Sequence, residues 1–147
     1  MIPPGLVEQL TTVMSNRLLD PLEILLEDPM TDVRDRCRRA AEVWARRLVG
    51  PSPTYAIATI IGALYPSDDV FDPPPGWWRT PLGRIALTQM GFPGKEAVSY
   101  AVAGDMLGMT RQGVHDLVNR HKLARHPDGG VVVTSIQERI QSRGQKT

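Results

Sequence analysis

Apolar side chains recur at helical spacing through the N-terminal part of the chain. The clearest stripe lies in residues 32–48, where Val33, Trp44 and Leu48 fall on one face and the arginines fall mostly off it. This pattern predicts an amphipathic helix. Similar but shorter patterns predict further helices over residues 5–18, 20–27, 55–64 and 81–90.

Three of these helices have a start signal made of a capping residue followed by proline. One is Ser52-Pro53, which precedes the apolar segment from Tyr55 to Leu64. Asp20-Pro21 with Glu23 predicts a new helix at Asp20, and Thr80-Pro81 predicts another at Pro81. The segment before Thr80 contains four prolines and is predicted to be irregular.

Some side chains in this part allow both a structural and a chemical interpretation. Trp77 and Trp78 lie beside three prolines, and we expect them to cover the end of the core rather than to form a hook for a partner. Cys37 is expected to be a small core residue. The arginines around it alternate with acidic residues, which favours a solvated, ion-paired helix face over a phosphate-binding surface.

The composition is typical of a globular chain, with 41% hydrophobic and 22% charged residues in a length of 147. No apolar run approaches the roughly 20 residues that a membrane-spanning helix needs, and a lone cysteine cannot form an internal disulfide. We therefore expect a soluble, cytoplasmic protein without a membrane partner. The net charge is +1, but residues 1–94 carry −2 (nine arginines against eleven acidic residues) and residues 95–147 carry +3 (eight basic against five acidic residues). A local positive field of this kind favours phosphate binding.

From Tyr100 onward the sequence has the pattern of two helices joined by a tight turn. Gly104 supplies a small residue where the helices would cross, and Gly108 suits a turn that needs positive φ. Thr110 can cap the second helix. The apolar contacts that fix the crossing would come from Ala103, Leu107, Val114 and Leu117. This pattern predicts a helix-turn-helix.

The second of these helices is the one expected to enter the major groove of DNA, with its N-terminal residues nearest the bases. Arginine can read guanine, and glutamine or asparagine can read adenine. Asp116 is expected to pair with Arg120, although it could also accept a hydrogen bond from cytosine. The predicted DNA contacts of this helix are Thr110, Arg111, Gln112, His115, Asn119 and Arg120.

A β-hairpin is predicted directly after this helix. Asp128-Gly129 suits a tight turn, and valines follow over residues 131–133. A hairpin in this position is a wing, and its basic residues would meet phosphates or an adjacent minor groove. These residues are Lys122, Arg125 and His126. Ser135 and Glu138 then form a capping box, which predicts a short closing helix.

Residues 98–140 resemble the winged helix-turn-helix of the excisionase and MerR-like DNA-binding family. The similarity lies in Met106-Leu107-Gly108, the stretch from Met109 to Val114, Lys122-Leu123, the turn Pro127-Asp128-Gly129-Gly130 and the helix that starts at Ser135. The resemblance implies binding to promoters or recombination sites, commonly as a dimer or in cooperative arrays.

The sequence shows no pattern of a catalytic or metal site. His115, His121 and His126 are spaced by six and five residues, which does not match the usual zinc ligand patterns. There is no glycine-rich phosphate loop, nucleophile elbow or partnered carboxylate pair. We therefore expect no enzymatic activity, no metal and no cofactor.

Together these patterns predict a mainly α fold, with an N-terminal helical bundle over residues 1–94 and a C-terminal winged helix-turn-helix with a short β-hairpin wing over residues 95–147. The expected function is sequence-specific binding of double-stranded DNA by a nucleoid-associated transcription regulator, a homodimer formed through the N-terminal helices. Two alternatives stay open. One is an architectural DNA-binding factor for recombination directionality or segregation, bound to arrayed sites, and the other is a protein-interaction adaptor that uses the winged module.

Overall fold

The computed structural model describes residues 1–67, 71–92 and 94–144. The chain is mainly helical with one small antiparallel sheet of two strands, which confirms the expected fold class at that level. It divides into two compact units, residues 1–68 and 69–147.

The first unit is built from helices alone in its described part. They are α1 (Leu6–Met14), α2 (Asp20–Leu26), α3 (Thr31–Leu48) and α4 (Pro53–Leu64). α1 packs against α3, and α3 packs against α4. The core side chains include Leu6, Leu10, Ala41, Leu48 and Ile57, each at most 2% exposed. Cys37, expected in this core, is only half-buried.

α1 continues into α2 through a π-helical turn, Ser15–Leu19. α2 begins at Asp20 as predicted, but Asp20 is not its N-cap, because Asp20 has helical dihedral angles (φ −59°, ψ −49°) and follows that turn without a break. The carboxylates of Asp20 and Glu23 instead bind Arg34 of α3. Arg34 Nη2 lies 2.6 Å from Asp20 Oδ1, and Arg34 Nε lies 2.6 Å from Glu23 Oε1. The two carboxylates that the sequence pattern assigned to helix capping therefore form ion pairs with Arg34 instead.

This ion pair changes the acidity of its members. The hydrogen bonds from Arg34, together with one from the Met30 backbone N–H at 3.0 Å, lower the pKa of Glu23 from 4.5 to about 2. The hydrogen bonds to Glu23 and Asp20 raise the pKa of Arg34 in turn. Both charges are therefore kept at neutral pH, and they fasten the beginning of α3 to α2.

α2 presents an unusual amount of apolar side chain to solvent, since none of its residues is buried. We call this region the α2 apolar surface. It consists of Leu22, Ile24, Leu25 and Leu26, which are between 39% and 79% exposed.

The second unit contains the remaining helices and both strands. These are α5 (Pro81–Met90), β1 (Ala97–Val98), α6 (Tyr100–Leu107), α7 (Arg111–Asn119), β2 (Val131–Val132) and α8 (Val133–Gly144). A 3-10 turn, Pro75–Arg79, precedes α5. α5 begins as predicted, with Thr80 Oγ1 accepting a hydrogen bond from the Gly83 N–H at 3.1 Å.

Aromatic side chains occupy the core of this unit beside α5. Trp78 is 1% exposed, and its ring centroid lies 5.0 Å from that of Trp77 and 4.9 Å from that of Phe92. Trp77 and Phe92 are buried as well. The expectation that the two tryptophans cover a core is therefore confirmed.

The division between the units lies earlier in the chain than the predicted boundary at residues 94 and 95. α5 belongs to the second unit, where Arg84 Nη1 donates a hydrogen bond to the carbonyl of Met106 in α6. Gln137 of α8 donates to the Leu87 carbonyl at 2.9 Å. Because these contacts join residues far apart in sequence, local composition gave no sign of them.

The strand pairing also differs from the predicted hairpin. β2 pairs with β1, which precedes the helix pair, in the register Ala97↔Val132 and Val98↔Val131. The predicted hairpin is nevertheless present in short form, with the antiparallel bridge Arg125↔Val131. The His126 N–H donates to the Gly130 carbonyl and the Val132 N–H donates to the Ala124 carbonyl, each at 2.9 Å. α8 begins two residues before the predicted Ser135 start, and the Ser135 hydroxyl donates to the Val132 carbonyl and accepts from the Ala124 N–H. β2 ends at Val132 and α8 begins at Val133, so no loop separates them.

Candidate nucleic-acid interface

α6 and α7 are joined by a three-residue turn that depends on glycine at two positions. Gly108 has φ 71° and ψ 37°, a left-handed conformation that glycine adopts without strain. A Cβ at Gly104 would lie 2.7 Å from the Met109 carbonyl oxygen, so only glycine lets the turn approach α6 this closely. Both roles agree with the sequence prediction.

The start of α7 is fixed by its cap and by one core side chain. Thr110 Oγ1 accepts a hydrogen bond from the Gly113 N–H at 3.0 Å, as predicted. Val114 is fully buried, while Leu117 and Val118 are half-buried. α7 is therefore anchored along one side, and its other side faces solvent.

The solvent-facing side of α7 carries the polar residues that the sequence singled out. Arg111, Gln112, His115 and Asn119 are all exposed, as is the capping Thr110. Some of these side chains already contact other residues of the unit, and this affects which of them could contact a ligand.

Two of these exposed side chains have partners within the unit. The His115 ring lies edge to face against Tyr100, with a centroid distance of 4.0 Å. Gln112 Nε2 donates to Asp116 Oδ1 at 3.2 Å. The predicted pairing of Asp116 with Arg120 is therefore replaced by one with Gln112, a full helical turn towards the N-terminus.

An open groove runs between this side of α7 and the turn that precedes β2. Its volume is about 420 Å³. The lining residues are Ser99, Tyr100, Arg111, His115, Val118, Asn119, Arg125 and Gly130. The structure thus brings together four of the predicted contact residues. Arg111, His115 and Asn119 come from α7, and Arg125 comes from the segment before the turn. Among the described residues that line the groove, two are arginines and none is acidic.

The other predicted contacts lie outside this groove. Arg120 and Lys122 are exposed at the C-terminal end of α7, on either side of His121, which has the left-handed φ of 60°. His126 is only 21% exposed in its side chain, with Nε2 3.5 Å from Glu96 Oε2. Its Nδ1 accepts a hydrogen bond from the Asp128 N–H at 3.1 Å. His126 lines a different cavity from its neighbour Arg125, because adjacent residues of an extended segment point to opposite sides.

Sequence reasoning missed Ser99, Tyr100 and Gly130 as parts of the groove. Gly130 has φ 85°, and a Cβ there would lie 2.6 Å from the Val98 carbonyl oxygen of β1. The Gly129-Gly130 pair indicated a turn in the sequence. In the structure Gly130 lets this turn pack closely against β1, a contact that the sequence did not predict. Tyr100 had no signal of its own.

The described residues contain no cluster of three or more potential metal ligands. Within the same ranges, no helix combines the length and the hydrophobicity that crossing a membrane requires. Comparisons with protein-family models, with curated proteins and with solved structures found no match to this chain.

Proposed function

We propose that the second unit is a winged helix-turn-helix that binds double-stranded DNA, with α7 in the major groove. The single observation that carries this proposal is the groove in which Arg111, His115, Asn119 and Arg125 meet. α6 and α7 with their glycine turn supply the helix-turn-helix, and the turn between Arg125 and β2 supplies the wing. The resemblance to the excisionase and MerR-like family supports the same interpretation.

The residues divide into base readers and backbone contacts by their position. Arg111 and His115 lie in the first half of α7, where a recognition helix comes closest to base edges, and arginine forms paired hydrogen bonds with guanine. Arg125 lies on the wing, where a cation meets phosphates. Thr110 Oγ1 accepts a hydrogen bond from the Gly113 N–H, which holds the beginning of α7 in place, and its O–H can still donate to a phosphate oxygen.

The test is equilibrium binding of the full chain to a random-sequence duplex, followed by selection of bound sequences. We expect binding at low ionic strength, with log K falling by about 0.9 per phosphate contact for each tenfold rise in salt. Arg111→Ala should flatten the selected consensus. Arg36→Ala is the matched control, because Arg36 is an exposed arginine on a helix of the first unit. No binding to any duplex at low salt would end the proposal, and equal loss in both variants would mean that binding is unspecific.

We further propose that the regulator acts as a homodimer and that the α2 apolar surface forms the subunit contact. Full burial of an exposed leucine gains roughly 1.5–3 kcal/mol, and each side chain of this surface would gain the part of that energy that corresponds to its exposed fraction. An exposed apolar surface on a small unit marks an interaction surface. Two copies would present two α7 helices to half-sites about one turn of DNA apart.

Sedimentation equilibrium tests the dimer directly. Leu25, at 79% exposure, is the most exposed leucine of the surface. Leu25→Glu should shift the mass towards that of the monomer, whereas Thr12→Glu, at an exposed position of α1, should not. A footprint then separates the two DNA-binding functions: one palindromic site supports a transcription regulator, and several phased repeats support an architectural factor. Binding to protein partners with no salt-dependent DNA binding would support the adaptor instead.

A further inference from the structure

The first unit contains an apolar cavity of about 170 Å³ that the proposed DNA-binding function does not use. Side chains from α1, the π-helical turn, α3 and α4 form its wall. They are Leu10, Met14, Leu18, Trp44, Thr59, Ile60, Ala63 and Leu64.

The cavity has a closed inner end and an open mouth. Leu10, Ile60 and Leu64 are at most 6% exposed and form the inner end. Leu18 and Ala63 are exposed and lie at the mouth. A small molecule could therefore enter from solvent without unfolding a helix.

The wall has almost no hydrogen-bonding capacity. Thr59 provides the one hydroxyl among the described lining residues, and none of them is charged. A charged or strongly polar ligand would lose its hydration without compensation. An uncharged apolar molecule gives up no hydrogen bonds to water, its removal from water is favourable, and it would fill space that otherwise lacks packing contacts.

The π-helical turn shapes one side of this cavity. Met14 precedes the turn, and Leu18 and Leu19 end it, yet Leu19 is buried while Leu18 is 46% exposed. A π-helical turn inserts extra backbone into a helix, and such turns often occur at functional sites. Here the wider turn sends Leu19 into the core and leaves Leu18 at the mouth.

We propose that this cavity is a binding site for a small uncharged aromatic or aliphatic molecule. In other proteins, an apolar cavity of about 150 Å³ binds benzene, so the volume here suits a single substituted ring. The proposal rests on the first unit alone and does not depend on DNA binding.

Trp44 gives a direct readout, because it lines the cavity and the other tryptophans lie in the second unit. The experiment incorporates 5-fluorotryptophan into the full chain and titrates toluene while recording fluorine NMR spectra. Trp44→Phe assigns the Trp44 resonance. We expect a saturable shift of that resonance alone, with half-saturation on the order of 1 mM or below. Benzoate, which adds a charge to the same ring, should shift it at least tenfold less at equal concentration.

Substitutions on α4 locate the site. Ala63→Phe would place a ring in the mouth and should weaken toluene binding at least tenfold, whereas Ala58→Phe, at an exposed position outside the cavity, should not change it. The proposal is overturned if the Trp44 resonance does not saturate with toluene, if benzoate binds as well as toluene, or if Ala63→Phe binds like the unsubstituted chain. If the Trp44 resonance shifts with protein concentration but not with toluene, a second copy of the chain fills the cavity. This result would also overturn the proposal.

Discussion

Gly83 and Gly113 form a natural pair for a test of packing in the second unit. Each is the third residue of its helix, α5 or α7, and each donates its N–H to a capping threonine, at 3.1 Å from Thr80 Oγ1 and 3.0 Å from Thr110 Oγ1. They differ in what a Cβ would meet. At Gly113 the nearest atoms are side-chain atoms at 3.4 Å, which is ordinary contact.

At Gly83 a Cβ would overlap the carbonyl group of Trp77 and lie 2.9 Å from the Cα of Trp78. Both neighbours are backbone, so the 3-10 turn must retreat by more than about 1 Å to restore ordinary contact with the Trp77 carbonyl oxygen. This turn carries two buried indoles, and we assign about 3–4 kcal/mol to the strain and lost packing. Alanine recovers up to about 1 kcal/mol as the better helix former. The net expectation for Gly83→Ala is a loss of about 2–3 kcal/mol, while Gly113→Ala should be neutral or slightly stabilising.

The assay is thermal and urea unfolding in a Trp44→Phe background, so that fluorescence reports on Trp77 and Trp78 only. A loss of this size corresponds to a fall of roughly 10–20 °C in Tm for a unit of this length. Near-UV circular dichroism checks that the indole packing changes in Gly83→Ala alone. Equal Tm values for the two variants would refute the argument, because only the Cβ environment distinguishes them.

Three further predictions concern binding, pH and folding. Arg111→Ala should reduce discrimination between DNA sequences by about 1–3 kcal/mol, whereas Arg125→Ala should weaken all sequences alike, as measured by competition binding. Glu23→Gln should lower Tm at pH 7, and its difference from the unsubstituted chain should vanish as the pH falls from 4.5 towards 2, because the pKa of Glu23 is lower in the folded chain; a difference that persists at pH 2 would contradict this. A fragment of residues 69–147 should fold cooperatively by circular dichroism, and one of residues 95–147 should not, since it lacks α5 and Trp78.

The parts of the fold that were predictable from sequence are those determined by local signals. α3 and α5 were placed to within a residue, because each combines a clear apolar stripe or start signal with a defined end. The glycine turn and the threonine cap of α7 were predicted for the same reason. The side chains exposed on α7 followed from its periodicity.

The remaining features depend on partners far away in the sequence. Asp20 and Glu23, which the sequence suggested as capping residues, bind Arg34 instead, and no local sequence rule predicts this partner. β1 has two residues, too few for an alternating pattern, and its partner comes after the helix pair. Arg125 and His126 looked equivalent in sequence, but the strand conformation separates them. The α7 side of the groove was therefore predictable from sequence, and the side formed by the segment before β2 was predictable only in part.

The ladder between β1 and β2 has a consequence for how the second unit opens and closes. It joins Ala97 to Val132 across both intervening helices, and contacts so distant along the chain are slow to form because a long loop must first close. The helices should therefore assemble before the strands meet. A transient separation of the strands would release the beginning of α6 and the turn before β2 together. The amide protons of this ladder should therefore exchange with solvent as a single group.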